Sequence, residues 1–176
     1  SPEEDPHSSL SCMMGVINGH FSTCRKGRFY VRKGRILFER LANDLQKAEG
    51  KVLLFATAFS LKSFLDYLKE NDTAIRLFPG SRLMETGGFK GRTKAISKSA
   101  LYAECERGLG IPRGYCVGEY GMTELSSQCY GTEIFHGPAW MRTLVIDPKT
   151  GKEAKMGRMG LLRHFDLANR GSVLAI

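Results

Sequence analysis

The sequence predicts an α/β fold with a mostly parallel sheet flanked by helices, followed by a small antiparallel β lobe. Up to residue 135, short apolar runs typical of buried strands alternate with segments whose apolar residues recur at helical spacing. Beyond that residue, strand-like runs follow one another with no helical segment between them, which indicates antiparallel pairing. We therefore expect an α/β core over residues 1–135 and a β-rich subdomain over residues 136–176.

The first half of the core contains two predicted helices and a strand. One helix is expected to end at Gly50 because four apolar residues precede it at helical spacing: Ile36, Leu37, Leu41 and Leu45. Residues 51–57 form an apolar run that predicts a buried strand. Ser60 is expected to cap the next helix. The apolar face of that helix carries Leu61, Phe64, Leu65 and Leu68.

The second half of the core repeats this alternation. Residues 74–78 predict another strand, and a glycine-rich turn follows at residues 85–92. Ser97 is expected to cap a helix that ends at Gly108. Strands separated by single helices are typical of a parallel sheet that is covered on both faces.

The β-rich subdomain is expected to begin near Trp140, the single tryptophan of the chain. Residues 142–146, 160–162 and 172–176 are apolar runs, and the turn-rich segment 147–151 separates the first two. Because these runs follow each other directly, we expect them to form antiparallel strands.

Composition limits the class of protein. The chain has 176 residues, 42% of them apolar, which suffices for a globular core with a small additional lobe. No apolar run approaches the length of about 18 residues that a membrane helix needs, and no signal-peptide pattern opens the sequence. We therefore expect a soluble, cytoplasmic protein. Its five cysteines are scattered without a C-x-x-C pair, which predicts reduced thiols rather than a disulfide framework or a zinc site.

The formal charge of +8 favours anionic partners such as nucleotides, nucleic acid or an acidic carrier protein. Part of the excess lies in residues 25–35, where two R-K-G-R copies flank an aromatic segment. Such a segment can bind single-stranded nucleic acid through phosphate contacts and base stacking. The alternative is a solvated hairpin whose charges keep the protein soluble. We favour the hairpin because no known RNA-binding motif accompanies the segment.

The most informative stretch is the apolar strand and glycine turn at residues 114–125. Tyr120 offers a flat aromatic face, and Gly121 allows a ligand to approach the backbone closely. Thr123 can donate a hydrogen bond to a phosphate oxygen, and Glu124 supplies the oxygen ligand that Mg²⁺ prefers. These groups predict a site for ATP and magnesium. The alternative is a strand, a turn and a helix start, because hydroxyl and acidic residues favour the first turn of a helix.

A second glycine-rich turn at residues 85–92 favours the ligand site, because open α/β sheets bind ligands at the carboxyl ends of their strands. The segment Glu-Tyr-Gly-Met-Thr-Glu-Leu at residues 119–125 resembles the Y-G-x-T-E motif of the adenylate-forming superfamily, the acyl-CoA synthetases and their relatives. Residues 8–14, 86–92 and 160–167 are similar to the acyl-protein synthetase branch, the long-chain fatty acid to luciferin-component ligases. The resemblance extends over nearly the whole chain.

The resemblance implies that a carboxylic acid, expected to be a fatty acid, is activated by ATP to an acyl-adenylate. The acyl group then passes to a thiol of a protein or of coenzyme A. It also implies that Glu124 coordinates Mg²⁺ and that Thr123 bonds the α-phosphate, which makes these two the expected catalytic residues. Tyr120 would lie against adenine, and the other expected ATP contacts are Gly87, Gly88, Phe89, Gly121 and Met122. Lys90 and Arg92 are given no catalytic role, and His20 is expected in a wall of the acyl pocket.

The chain also departs from the superfamily pattern. It has no Ser/Thr/Gly-rich phosphate loop and no C-terminal lid with its lysine, and the ribose-binding aspartate is expected beyond Ile176. We therefore expect part of the large N-terminal domain, with an incomplete nucleotide-binding core in residues 1–135, which would be inactive by itself. Two alternatives stay open. One is a non-catalytic nucleotide-binding or scaffold relative, and the other is a nucleic-acid-binding domain built around residues 25–35.

Overall fold

The computed structural model describes residues 1–21, 28–87, 96–171 and 174–176. It divides the chain into two compact units, Ser1–Val117 and Gly118–Ile176. The division at residue 135 that we expect from the sequence rests on the change in secondary-structure rhythm and stays a prediction. None of the described helices is long and apolar enough to cross a membrane.

In the described residues the helices are α1 (Ser9–Phe21), α2 (Phe38–Gln46), α3 (Ala58–Glu70) and α4 (Lys98–Leu109). The strands of the first part of the chain are β1 (Val31–Arg32), β2 (Arg35–Ile36), β3 (Leu53–Thr57) and β4 (Arg82–Thr86). A 3₁₀ turn at Arg113–Tyr115 leads into the remaining strands, which are β5 (Cys116–Tyr120), β6 (Cys129–Gly131), β7 (Phe135–His136), β8 (Met141–Ile146) and β9 (Leu161–Asp166).

The predicted fold class, an α/β sheet flanked by helices and followed by a small antiparallel lobe, is confirmed. In the described residues, one sheet has the strand order β3-β4-β5-β6-β7, and β8 and β9 form a separate two-stranded sheet. β3 and β4 run parallel, with Leu53 opposite Arg82 and Thr57 opposite Thr86. β5, β6 and β7 pair antiparallel, which the sequence did not indicate. The β8–β9 pair is the predicted antiparallel lobe.

The core of the first unit lies between α3, α4 and the strands β3 and β4. The predicted apolar face of α3 is confirmed, because all four of its members are buried: Leu61, Phe64, Leu65 and Leu68. From α4, Leu101, Cys105 and Leu109 are buried in the same cluster. Complete burial of one such leucine or phenylalanine contributes about 1.5–3 kcal/mol. The strands β3 and β4 therefore pack against a buried apolar cluster.

Two predicted helix ends are shifted in the structure. Thr57, not Ser60, caps α3: its side chain accepts a hydrogen bond from the Ser60 N–H at 3.1 Å. Ser60 thus lies at the position whose N–H a cap residue satisfies. α4 is capped by Ser97 as predicted, but it continues through Gly108 and ends at Gly110, whose φ of +72° is the left-handed conformation that glycine adopts easily.

The strand predicted at residues 74–78 is not formed. Ile75 and Leu77 are buried, but the Leu77 N–H donates to the carbonyl of Leu109 rather than to a neighbouring strand. Burial alternates there without a sheet partner, and the strand that pairs with β3 begins only at Arg82. β3 itself is an edge strand and is half-buried, so the prediction of a fully buried strand at residues 51–57 is also wrong.

The predicted helix over residues 36–45 begins later than expected. Ile36 belongs to a β-hairpin, in which it pairs with Val31, and α2 ends at Gln46, before Gly50. The two hairpin turn residues, Lys33 and Gly34, both have positive φ, as a tight two-residue turn requires.

That hairpin holds the described part of the basic segment. Arg28 forms an ion pair with Asp44 at 2.7 Å, and Arg32 forms one with Glu4 at 3.0 Å. These contacts agree with the solvated-hairpin interpretation for residues 28–36. Residues 25–27 lie outside the described residues, as does Cys24.

Candidate functional site

The predicted ATP turn lies at the end of β5, within the loop of residues 121–128 that joins β5 to the antiparallel strand β6. Thr123 and Glu124 are both exposed. A hydrogen bond of 3.1 Å from the Leu125 N–H to the Met122 carbonyl closes a turn beneath them. The loop contains no helix, so the interpretation of Thr123 and Glu124 as the first turn of a helix is wrong.

Gly121 is required by close packing rather than by an unusual φ. A Cβ atom at this position would lie 2.6 Å from Oε1 of Glu119, a side chain that is itself buried. The backbone therefore passes directly over the Glu119 carboxylate at the point where the strand ends. This neighbour is a side chain of the protein, so the expected close approach of a ligand to the Gly121 backbone stays a prediction.

Tyr120 is half-buried and contacts the rings of Phe135 and His164. Its hydroxyl lies 3.3 Å from Nε2 of His164, and its ring meets Phe135 edge-on with centroids 6.3 Å apart. Nδ1 of His164 lies 2.8 Å from Oγ1 of Thr143. Burial lowers the pKa of the His164 imidazole, against the opposing effect of Asp166, so the ring is neutral at pH 7. Burial also raises the pKa of Tyr120, which stays a phenol.

Asp166, at the end of β9, is fully buried and binds the far side of the loop. Its Oδ2 accepts from the Ser127 N–H and its Oδ1 from the Ser127 hydroxyl, both at 2.8 Å. Oδ1 also accepts from the Ala168 N–H at 3.0 Å. Burial raises the pKa of the Asp166 carboxyl, but these hydrogen bonds outweigh burial and lower the pKa below its ordinary value. The carboxylate is therefore ionised and fully used within this network.

Asn169 connects two peptide groups of the same loop. Its Oδ1 accepts from the Ser126 N–H at 2.8 Å, and its Nδ2 donates to the Glu124 carbonyl at 2.9 Å. Trp140 adds a further contact, because its Nε1–H donates to the Ser127 hydroxyl at 2.8 Å. The loop that presents Glu124 is thus held by Trp140, which precedes β8, by Asp166 at the end of β9, and by Asn169 just after it.

A hollow of about 550 Å³ opens beside this loop. It is lined by Ser126, Ser127, Gln128, Tyr130, His136, Gly137, Pro138, Trp140 and Ala168. The rings of Trp140 and Tyr130 are partly exposed within it.

The second glycine turn begins where β4 ends. Gly87 is exposed with a φ of +70°, whereas Gly88, Phe89, Lys90 and Arg92 lie outside the described residues. Just before it, the fully buried Glu85 forms an ion pair with Lys98 and accepts a hydrogen bond from the Tyr102 hydroxyl at 3.0 Å. Burial, with the negative charge of Glu85, raises the pKa of Tyr102.

The described residues contain no group of three or more His, Cys, Asp and Glu side chains that could hold a metal ion. Mg²⁺ usually takes only one or two protein carboxylates and completes its shell with water and substrate phosphates. The exposed Glu124 can serve as such a single ligand. His20 is exposed as well, and its expected place in an acyl pocket stays a prediction.

Sequence reasoning missed the network beneath the loop. Asp166 lies in the stretch 160–167 that carries the family resemblance, and Asn169 lies just beyond it, but no role was expected for either residue. Their partners are 39 to 45 residues away in the sequence, so no local spacing could have revealed the contact. The only available signal was a pair of polar residues directly after an apolar strand.

A comparison with solved structures finds similarity to a long-chain-fatty-acid-CoA ligase, FadD1, from Archaeoglobus fulgidus. The identity is 17%, the TM-score is 0.56, and the match covers 74% of this chain and 27% of that chain. Apo MatB from Rhodopseudomonas palustris matches at 13% identity and a TM-score of 0.45, over 72% of this chain and 24% of that chain. An ATP-bound RpMatB-BxBclM chimera matches at 14% identity and a TM-score of 0.47, over the same shares of 72% and 24%. No protein-family model and no curated protein matches the chain.

The similarity to FadD1 establishes the fold: this chain has the fold of part of an acyl-CoA ligase and spans 27% of that ligase's length. The two matches with TM-scores below 0.5 add no weight to this conclusion. The resemblance to adenylate-forming enzymes is therefore supported at the level of the fold. Membership of the acyl-protein synthetase branch stays a prediction.

Proposed function

We propose that this chain is part of an ATP-dependent ligase that activates a carboxylic acid, in the first instance a fatty acid, as an acyl-adenylate. The observation that carries the proposal is the exposed turn at the end of β5, where Thr123 and Glu124 face solvent above a loop fixed by buried hydrogen bonds. A turn of this composition, in a chain with part of an acyl-CoA ligase fold, suits a polyanionic nucleotide.

In this proposal each residue of the turn has a distinct task. Glu124 holds Mg²⁺, which supplies positive charge to the phosphates when it is bound. Thr123 donates a hydrogen bond to the α-phosphate, and Tyr120 lies against adenine, with Gly121 and Met122 in backbone contact. Gly87, Gly88 and Phe89 stay predicted ATP contacts.

The proposed reaction has two steps, formation of the acyl-adenylate and transfer of the acyl group. An oxygen of the substrate carboxylate attacks the α-phosphorus, the bond to the bridging oxygen breaks, and pyrophosphate leaves. A thiolate then attacks the carbonyl of the acyl-adenylate, forms a thioester and releases AMP. The thiol belongs to coenzyme A or to a partner protein. A cytoplasmic location accords with this use of ATP.

Exchange of labelled pyrophosphate into ATP, dependent on a carboxylic acid, tests the proposal in the intact protein. We expect exchange with at least one member of a panel of fatty acids of increasing length. Glu124→Ala should lower the exchange rate by about 10²- to 10³-fold, the effect of removing one group that stabilises charge in a transition state. Thr123→Val should also lower it, because the hydroxyl is lost at nearly constant volume.

Glu153→Ala is a matched control, since Glu153 is an exposed carboxylate of the same unit outside the loop. This variant should exchange at the wild-type rate. Absence of exchange with every acid would refute the ligase. Full activity of Glu124→Ala would show that the metal role has been assigned to the wrong residue.

A further inference from the structure

Residues 166–169, which we call the 166–169 corner, contribute two side chains that bind the loop of residues 121–128. We propose that Asn169, supported by Asp166, is a positioning residue that sets the place of the Glu124 carboxylate. The inference rests on the proposed function of Glu124 and goes beyond it, because that proposal gives neither Asn169 nor Asp166 a role.

The first step is the chemistry of the Asn169 side chain. It accepts a hydrogen bond from the Ser126 N–H at 2.8 Å and donates one to the Glu124 carbonyl at 2.9 Å. A primary amide can donate and accept at the same time, whereas an ionised carboxylate has no donor. The side chain is 94% buried, so water does not compete easily for either bond.

The second step is the rigidity of the corner that presents this amide. Asp166 is completely buried and accepts from the Ser127 N–H, the Ser127 hydroxyl and the Ala168 N–H. The bond from Ala168 closes the corner on itself, and the two from Ser127 join it to the loop. Asn169 is therefore held one turn beyond a carboxylate that is already fixed.

The third step concerns Glu124 itself. In the part of the chain that the structure describes, its exposed side chain makes no hydrogen bond or ion pair. Other residues therefore hold only the backbone of Glu124, from which the carboxylate extends, and its carbonyl is the atom bonded to Asn169. Partners that orient a metal ligand in this way typically change metal affinity about 10- to 100-fold when they are mutated.

The decisive variant is Asn169→Asp, tested in the intact protein. It keeps an acceptor for the Ser126 N–H but brings a carboxylate oxygen against the Glu124 carbonyl. We expect the concentration of Mg²⁺-ATP needed for half-maximal pyrophosphate exchange to rise about tenfold or more, while the concentration of carboxylic acid needed stays unchanged. A smaller folded fraction would lower the maximal rate and leave both half-maximal concentrations unchanged, so a rise for Mg²⁺-ATP alone separates positioning from stability.

A matched control is Asn71→Asp. Asn71 also donates from Nδ2 to a backbone carbonyl, that of Tyr67 at 2.8 Å, but it lies exposed at the end of α3. It should leave both half-maximal concentrations at their wild-type values. Asn169→Ala, which adds no buried charge, serves as a second variant in case Asn169→Asp does not fold.

Hydrogen exchange without nucleotide provides an independent readout. The Ser126 amide should exchange faster in Asn169→Ala than in the wild type, while the amides of β8 should stay unchanged. Unchanged protection of Ser126, or an unchanged Mg²⁺-ATP requirement, would overturn the positioning role. If Glu124→Ala leaves pyrophosphate exchange intact, the proposed metal site itself is wrong, and the positioning role falls with it while the Ser126 result still reports the loop contact.

Discussion

His164 is buried between two hydroxyl groups, and this position determines its protonation. Each ring nitrogen lies near one hydroxyl, Nε2 near Tyr120 and Nδ1 near Thr143, so a neutral ring can donate to one and accept from the other. A doubly protonated ring would have to donate in both directions while losing its hydration. Because burial removes the hydration of the charged ring, it lowers the pKa of His164.

This depressed pKa predicts a pH dependence of stability. The folded state binds the His164 proton more weakly than the unfolded state. The contribution of His164 to the free energy of unfolding should therefore be constant well above pH 6.5 and should fall as the pH drops below it. The slope from this one residue cannot exceed about 1.4 kcal/mol per pH unit. Urea unfolding at pH 7.5, 6.5 and 5.5 measures it in the wild type.

His164→Gln is the comparison for that experiment, since glutamine can also donate and accept but does not titrate. As the pH falls, the unfolding free energy of the wild type should decrease relative to that of the variant. A difference that is the same at all three pH values would contradict the assignment of a neutral, buried imidazole.

At the scale of elements, local sequence revealed the buried face of a helix better than the bounds of helices or the positions of strands. The face of α3 and the cap at Ser97 follow from the spacing of a few neighbouring residues, and both are confirmed. Strand positions depend on which partner is available, and residues 74–78 look like a strand but bond to Leu109 instead. The contacts of the loop that carries Glu124 could not be predicted from local sequence either, because partners such as Asn169 are distant in the sequence.

The end of α4 offers a test at this scale. Gly110→Ala should destabilise the protein by about 1 kcal/mol, because a Cβ atom opposes the left-handed conformation at φ +72°. Thermal or urea unfolding measures the change. Gly50→Ala is the control: a Cβ there meets nothing within 4 Å and its φ is not positive, so it should have little effect. Equal effects of the two substitutions would show that conformation does not explain the role of Gly110.

At the scale of the whole molecule, the sequence predicted the fold class and the exposed turn but not the network that supports the turn. The turn residues are adjacent, so the motif was visible in a single stretch. The supporting residues Ser127, Asp166 and Asn169 come together only after β5, β6, β8 and β9 have paired. The residues of the turn are therefore neighbours in the sequence, whereas the residues that hold the turn in place are distant from it.

Thiol reactivity should report the folding of the whole chain. Cys12 is exposed, whereas Cys105, Cys116 and Cys129 are buried, and burial raises the pKa of Cys129. Iodoacetamide should modify Cys12 rapidly in the native protein, and the three buried thiols only at rates set by opening of the structure. Mass spectrometry of timed samples measures each site, and urea should remove the protection. Rapid native modification of Cys105 would contradict its complete burial.

The bond from Trp140 to Ser127 gives the protein an internal optical probe. Trp140 is the only indole in the chain, it is more than half exposed, and its N–H is joined to the residue that Asp166 holds. Its fluorescence therefore comes from one known place. The indole is hydrogen-bonded to Ser127, which follows Glu124 by three residues in the sequence. A shift in emission maximum or in quenching by iodide should signal movement of the loop of residues 121–128 without any label, and it can be followed during rapid mixing.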